Sequence, residues 1–93
     1  MTAEEYAIFQ KIYKDGLSPK EEKELRNISH TLYTKILDVK NNFFDWKEKS
    51  QGRALMYTTI RDTLYDTIPI PAYSEDDAKK KTEEVYDYSF EYM

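Results

Sequence analysis

Apolar side chains recur at intervals of three and four residues along most of the chain, with charged residues between them. This spacing is typical of amphipathic α-helices that bury one face. It predicts four helices, at about residues 3–15, 19–40, 50–67 and 75–91. No segment alternates with a period of two for long enough to form a strand. We therefore expect an all-α fold, a small bundle of about four helices with no sheet, in a single domain covering residues 1–93.

Local signals mark the ends of these helices. Thr2, Ser18 and Ser74 stand at three of the predicted starts, and each is followed three residues later by an acidic residue, the spacing of a capping box. Gly16 is expected to stop the first helix. The two prolines within residues 68–71 are expected to stop the third, because proline lacks a backbone donor and disfavours helix before it.

Two of the helices have well-defined apolar faces. The face of the second helix consists of Leu25, Ile28, Leu32, Ile36 and Val39. The face of the last helix consists of Ala78, Thr82, Val85, Ser89 and Tyr92. His30 points away from the apolar face of the second helix, so we expect it to be exposed or to face a partner rather than to bind a metal.

The segment from Phe43 to Ser50 has no clean period, although Phe43, Phe44 and Trp46 are bulky and apolar. We interpret it as a turn that leads into the third helix. A lone tryptophan in a small domain is usually a core residue, and we expect this of Trp46. The alternative is an anchor at a protein interface, which also suits the amphipathic ring.

Arg53 lies on the same predicted helix stripe as Met56, Ile60 and Leu64, so a cation faces the core. One explanation is that its stem packs against the core while the guanidinium reaches water. The other is a buried or interfacial ion pair with a carboxylate.

Nine tyrosines in 93 residues is a high count, and tyrosine is enriched where proteins meet. Some of them are candidates for a partner surface; the alternative is that tyrosine fills the margin of a small core. The full set of candidates for a partner or DNA interface is Arg53, Trp46, Tyr57, Arg61, Tyr86 and Tyr88.

Composition disfavours most catalytic chemistry. With only two glycines, no glycine-rich phosphate loop can be written, and with one histidine and no cysteine no His- or Cys-rich metal site can form. We expect no catalytic, cofactor or metal residues in this segment. The net charge of −4 disfavours general adhesion to nucleic acid or anionic lipid, and no apolar run is long enough to cross a membrane.

The order of the motifs from Leu17 to Tyr92 carries a family resemblance. A capped amphipathic helix comes first, then a tryptophan-plus-basic stretch leading into a helix with Gln-x-Arg and Ile-x-x-x-Leu, then proline before an aromatic, and finally a helix with an aromatic end. The residues at these places are Leu17, Ser18, Pro19, Leu37, Trp46, Lys47, Gln51, Arg53, Ile60, Leu64, Pro69, Pro71, Tyr73, Lys81, Val85, Tyr86, Phe90 and Tyr92. This order resembles the C-terminal helical region of the R subunit, the motor and restriction subunit, of type I restriction-modification enzymes. The chain departs from the family pattern at Tyr57, where the family has arginine, and at Arg61, where it often has an acidic residue.

The resemblance implies that the chain is the C-terminal fragment of a much larger cytoplasmic protein. Upstream domains of that parent would hold the site-specific deoxyribonuclease and the helicase-type ATPase, with their ATP and Mg. The present segment would be a non-catalytic docking module for the methyltransferase core formed by the M and S subunits. DNA would be contacted only through the parent.

Two alternatives stay open. The first is a helical module that contacts DNA directly through cations, although acidic neighbours interrupt the cluster. The cations concerned are Lys47, Lys49, Arg53 and Arg61. The second is a stand-alone helical regulator that acts by protein interaction.

Overall fold

A computed structural model describes residues 2–68 and 73–93 of the chain. In these residues the structure forms four α-helices: α1 (Ala3–Ile12), α2 (Pro19–Asn42), α3 (Ser50–Thr67) and α4 (Glu75–Tyr92). No strand occurs in this described part, so the prediction of a small all-α bundle is confirmed. The prolines expected to stop the third helix, at positions 69 and 71, lie outside the described residues.

The predicted capping boxes at Ser18 and Ser74 are present in full. In each, the serine hydroxyl accepts a hydrogen bond from the backbone N–H three residues on, and the acidic side chain there accepts one from the serine N–H. At Thr2 only half of the box forms. The Thr2 hydroxyl accepts a hydrogen bond of 3.1 Å from the Glu5 N–H. The Glu5 carboxylate lies instead 3.4 Å from His30 Nδ1 on α2. His30 is otherwise exposed, as expected.

The first helix ends three residues earlier than predicted. Tyr13 turns to an extended conformation, with ψ of 146°, while its N–H still donates to the Phe9 carbonyl. Gly16 then adopts a φ of 89°, a left-handed conformation that glycine reaches without steric cost. Gly16 therefore serves the turn beyond the helix rather than the helix end itself.

The four helices form a closed ring of contacts, in which each helix packs on the next and α4 packs back on α1. With 24 residues, α2 is about 36 Å long, close to the longest dimension of the molecule, 39 Å. The much shorter α1 lies along the first half of α2, where Arg26 sits over the Phe9 ring. The second half of α2 and the turn that follows it thus form the opposite end of the bundle.

The core is drawn from all four helices and from the α2–α3 turn. The apolar side chains with no exposed area are Ile8, Ile12, Leu25, Leu32, Ile36, Met56, Ile60, Leu64 and Val85. Trp46 is only 1% exposed, so its expected place in the core is confirmed. The buried face of α4 is also confirmed for Ala78, Thr82, Val85 and Ser89.

The assignment of Tyr92 to the buried face of α4 is wrong. Tyr92 is 67% exposed, whereas Met93, four residues after Ser89, is 8% exposed and continues the buried stripe. The hydroxyls on this stripe are satisfied within the helix, since Thr82 donates to the Ala78 carbonyl and Ser89 to the Val85 carbonyl. The stripe can therefore include polar residues without leaving buried donors unpaired.

A buried tyrosine joins the start of α4 to the end of α1. The Tyr73 hydroxyl donates a hydrogen bond of 2.6 Å to the Ile12 carbonyl, one of the carbonyls at the end of α1. Beside it, Lys14 Nζ lies 2.8 Å from a carboxylate oxygen of Asp77 and 5.5 Å from the centre of the Tyr73 ring. Burial, with a smaller effect from the charge of Asp77, raises the pKa of Tyr73 to about 12.

Candidate protein interface

Three exposed aliphatic or phenylalanine side chains lie where α2 ends and α3 begins. Phe43 is 48% exposed, Phe44 is 90% exposed, and Leu55, on the first half of α3, is 39% exposed. We call these three residues the apolar tip. Phe43 and Leu55 line one groove of about 480 Å³, together with Asp45, Lys49, Gln51 and Gly52. We call this the tip groove.

The turn that carries the tip is anchored by Trp46. The Trp46 backbone N–H donates a hydrogen bond of 2.9 Å to the Phe43 carbonyl. The indole packs edge-on against Tyr86 and Phe90 of α4, with ring centres 6.3 and 5.8 Å away. Because the indole points inward, the residues just before it are held at the surface. The Trp46 side chain is therefore buried, and the neighbouring Phe44 side chain is exposed.

Gly52 permits the turn to lie directly against α3. A Cβ atom added at Gly52 would stand 2.5 Å from the Trp46 Cα and 2.8 Å from its carbonyl oxygen. Real Cβ atoms do not come so close to a backbone, so only glycine fits there. The glycine thus allows the turn to lie in backbone contact with the first turn of α3, and Gly52 also lines the tip groove.

Arg53 ties the same two elements together. Its Nη1 donates a hydrogen bond of 2.8 Å to the Lys47 carbonyl, and the side chain is half-buried. Among the described residues, no carboxylate lies within ion-pair distance of Arg53, although Asp87 and Glu91 line the same cleft. Neither explanation offered by the sequence anticipated a backbone carbonyl as the partner of this cation.

A second, more open cleft lies on the α4 side of the turn. Its lining consists of Arg53, Tyr86, Asp87, Phe90 and Glu91, and its volume is about 740 Å³. Lys47 Nζ lies at the edge of this region, 5.7 Å from the Trp46 ring centre and 5.9 Å from that of Phe90. The lysine head is therefore held over two aromatic faces.

Four of the six interface candidates predicted from the sequence are brought together here. Trp46 and Tyr57 pack against the Tyr86 ring, with ring centres 6.3 and 5.5 Å away, and Arg53 lines the same cleft as Tyr86. These aromatic rings support the turn more than they form its outer surface, because Trp46 is buried and the two tyrosines are partly buried.

Arg61 and Tyr88 do not belong to this cluster. Arg61 lies eight residues beyond Arg53 on α3, about 12 Å along the axis, and pairs with its neighbour Asp62 at 3.2 Å. Tyr88 packs on Tyr92, with ring centres 5.2 Å apart. Burial and, to a smaller extent, the charge of Glu4 raise the pKa of Tyr88.

The apolar tip itself was not among the sequence candidates. Its signal was the adjacent pair Phe43 and Phe44 in a segment without helical or strand periodicity. Two bulky apolar residues in a short turn cannot both point inward when a neighbouring tryptophan fills the core. That competition could have identified them as exposed.

Charge separates the tip from the rest of the chain. Residues 40–53 contain four basic and two acidic side chains, a net charge of +2, whereas the remaining residues carry ten basic and sixteen acidic side chains, a net charge of −6. Phe43 and Phe44 thus lie in a stretch of sequence with a net charge of +2, whereas the remaining residues are net negative.

Comparisons with family models, with curated proteins and with solved structures give no match for this chain. Within residues 2–68 and 73–93, no group of three or more His, Asp or Glu side chains is placed to hold a metal ion. None of the helices in the described part has the length and apolar character needed to span a bilayer. The resemblance to the R subunit of type I restriction enzymes stays a prediction from the motifs that carry it.

Proposed function

We propose that this chain is a non-catalytic docking module which attaches an ATP-dependent, DNA-translocating nuclease to its methyltransferase and specificity subunits in the cytoplasm. The docking role rests on one observation: Phe44 is 90% exposed beside the partly exposed Phe43 and Leu55. A phenylalanine side chain that stays in water forgoes about 1.5–3 kcal/mol of burial free energy. Exposed apolar patches are typical of protein interaction sites, and Phe43 and Leu55 line one groove next to Phe44 in the chain.

The support beneath the tip favours binding. Trp46, Gly52 and Arg53 hold the turn by ring packing, backbone contact and a charged hydrogen bond. A surface that is ordered before binding loses little conformational entropy when a partner arrives. The apolar tip is therefore suited to docking without prior rearrangement.

The attribution to a restriction complex rests on the resemblance. Trp46 and Arg53, which hold the turn beneath the tip, are two of the residues that carry it. Phe43, Phe44 and Leu55 are not among those residues, so the resemblance supports a docking module and the exposure of these three side chains supports its docking surface separately.

Direct DNA contact is the second candidate, favoured by the net charge of +2 in residues 40–53. The cations proposed to contact DNA are Lys47, Lys49, Arg53 and Arg61. Two of them already have other partners, since Arg53 donates to a backbone carbonyl and Arg61 pairs with Asp62. DNA binding of this type predicts an affinity that falls steeply with salt.

The test is binding of the purified chain to the methyltransferase core of a type I restriction enzyme encoded beside the chain's own gene, measured by analytical ultracentrifugation. We expect a stable complex and no ATP hydrolysis by the chain alone. Phe44→Ser should weaken the complex, whereas Tyr65→Ser should not. Tyr65 is a suitable control because it is 42% exposed but lies ten residues, about 15 Å, further along α3 than Leu55.

Each outcome has a separate meaning. A folded chain that does not bind the core removes the restriction assignment. Binding that Phe44→Ser leaves unchanged removes the apolar tip as the docking surface. Binding of duplex DNA with a steep salt dependence, in place of the core, favours the second candidate.

A further inference from the structure

The contacts that hold α1 differ in kind from those between the other helices. Within residues 2–68 and 73–93, the polar side-chain contacts between elements distant in sequence all involve α1 or the residue two positions after it. They are Tyr73 with Ile12, Lys14 with Asp77, and His30 with Glu5. The other polar side-chain contacts in this described part join residues no more than six positions apart. Between α3 and α4, by contrast, aromatic packing such as that of Tyr57 on Tyr86 makes the contact.

The length of α1 also separates it from the other helices. It has 10 residues, whereas α2 has 24 and α3 and α4 have 18 each. Isolated helices shorter than about 12–15 residues are marginal in water, so α1 depends on docking for its order. Its apolar anchors are Ile8, Phe9 and Ile12, which are 0, 9 and 0% exposed. These three side chains and the polar contacts at its two ends therefore hold α1 in place.

A group of three side chains attaches the end of α1 to the start of α4. The Tyr73 hydroxyl donates to the Ile12 carbonyl at 2.6 Å, and Lys14 Nζ lies 2.8 Å from the Asp77 carboxylate. We call Tyr73, Lys14 and Asp77 the clasp. The Lys14 and Asp77 side chains are 40% and 34% exposed, so water and salt weaken their pair. Only the Tyr73 hydrogen bond in the clasp is buried.

We propose that α1 is a releasable strap, which detaches from the bundle as one unit while α2, α3 and α4 stay packed together. Release uncovers Ile8, Phe9 and Ile12, and also the faces of α2 and α4 on which α1 packs. This covered surface lies along the first half of α2, at the end of the bundle opposite to the apolar tip. Proteins draw their moving elements from such units of low local stability. The inference is independent of the proposed docking function.

Native-state hydrogen exchange of the intact chain, followed by NMR, measures release directly. The backbone amides of Ile8, Phe9 and Ile12 report on α1, and those of Ile60 and Val85 report on α3 and α4. Where the exchange rate rises in proportion to the hydroxide concentration, the protection factor gives the opening equilibrium. We expect the three α1 amides to share one protection factor, at least about tenfold lower than those of Ile60 and Val85.

Two variants distinguish release of α1 from unfolding of the whole chain. Arg53→Met removes the hydrogen bond to the Lys47 carbonyl, at the end of the bundle that stays folded when α1 is released. Protection at Ile60 should therefore fall about tenfold, while protection in α1 should change by less than about twofold. Tyr73→Phe removes a bond that is broken in both events. It should lower protection about fivefold in α1 and at Ile60 alike.

Three results would overturn the inference. The first is equal protection of the amides in α1 and in α3. The second is protection that declines gradually from one end of α1 to the other, which indicates fraying rather than release. The third is an equal loss at α1 and at Ile60 in Arg53→Met, which indicates a single cooperative unit. Ile36→Val, a mild core change in the second half of α2, repeats the Arg53→Met test, with an expected loss at Ile60 of about two- to tenfold and none in α1.

Discussion

Trp46 and Gly52 are in direct backbone contact, and this contact sets the position of the whole α2–α3 turn. The space where residue 52 would carry a Cβ atom is occupied by the Trp46 backbone, with the nearest atom 2.5 Å away. Gly52 is also buried and lies in the first turn of α3. Intrinsic helix propensity therefore favours alanine at position 52, whereas packing against Trp46 favours glycine.

Gly52→Ala should destabilise the protein despite adding a better helix former. Alanine is favoured over glycine by about 1 kcal/mol in a helix interior. Overpacking costs about 1–3 kcal/mol, and a clash with the Trp46 backbone should lie at the upper end of that range, so we expect a net loss of up to about 2 kcal/mol. Urea unfolding measures the free energy of unfolding directly.

The matched control is Gln51→Ala, one residue earlier in the same turn of α3. Gln51 is exposed, and its substitution should change stability by less than about 0.5 kcal/mol. A stabilised Gly52→Ala variant would mean that the turn does not lie against α3 as described.

Arg53→Met should remove the hydrogen bond to the Lys47 carbonyl while keeping an apolar stem of similar length. Hydrogen bonds from charged donors contribute about 1.5–3 kcal/mol, and the loss here should lie near the lower end because the side chain is only half-buried. Arg61→Met is the comparison, since the exposed pair of Arg61 with Asp62 should contribute less than about 1 kcal/mol. Equal effects of the two variants, measured by urea unfolding, would contradict the described role of Arg53.

The helices and most of the core could be predicted from the sequence because periodicity and capping are local signals. Ser18 and Ser74 each carry their capping partner three residues away, and both boxes form as expected. The prediction was wrong at Tyr92. The residue three positions after Ser89 and the residue four positions after it can both lie on the buried face, and the sequence does not decide between them. Met93 takes the buried position there.

The candidate site was less predictable because it depends on contacts between elements. Trp46 lies on the turn, Arg53 on α3 and Tyr86 on α4. No local sequence pattern relates these three elements, so the sequence could not show that the three residues lie near one another. The partner of Arg53 is a backbone carbonyl, and side-chain types do not reveal such a partner. The exposure of Phe44 likewise follows only once Trp46 is known to fill the core.

Tyr73 should make stability fall in strongly alkaline solution. The unfolded phenol loses its proton near the ordinary pKa of 10, whereas the folded one keeps it until about 12. The folded state therefore binds more protons than the unfolded state between these values, and stability decreases as pH rises through that window. The decrease from this group should reach about 2 kcal/mol by pH 12.

Tyr73→Phe separates this effect from the titration of other tyrosines. At pH 7 the variant should be less stable by about 1 kcal/mol, because the hydrogen bond to the Ile12 carbonyl is lost. Above pH 10 its disadvantage should shrink and then reverse. A difference that stays constant across pH, measured by urea unfolding at each value, would show that this phenol does not titrate differently in the two states.

Asp77 should act at the opposite end of the pH scale. Its hydrogen bond from Lys14 and a second from the Ser74 N–H lower its pKa from 3.8 to about 2. The stabilisation by this carboxylate is present in full above pH 3.8 and is lost as pH falls towards 2. Asp77→Asn should therefore lower the melting temperature at pH 6, and the gap from the parent chain should close by pH 2. Asp76→Asn, at the preceding exposed position, should lower the melting temperature at pH 6 less than Asp77→Asn does.

Phe44→Ser should leave the fold as stable as before, which is the property that separates a binding surface from a packing residue. Phe44 is 90% exposed and so contributes little burial, and we expect a change of less than about 0.5 kcal/mol in the free energy of unfolding. Trp46→Ala, two residues on, should cost about 3–5 kcal/mol because it empties a position that is 1% exposed. A marked loss of stability in Phe44→Ser would place that ring in the core and remove the apolar tip. If Phe44→Ser leaves the free energy of unfolding unchanged but weakens binding to the partner, Phe44 contributes to recognition. Its side chain then stabilises the complex and not the fold.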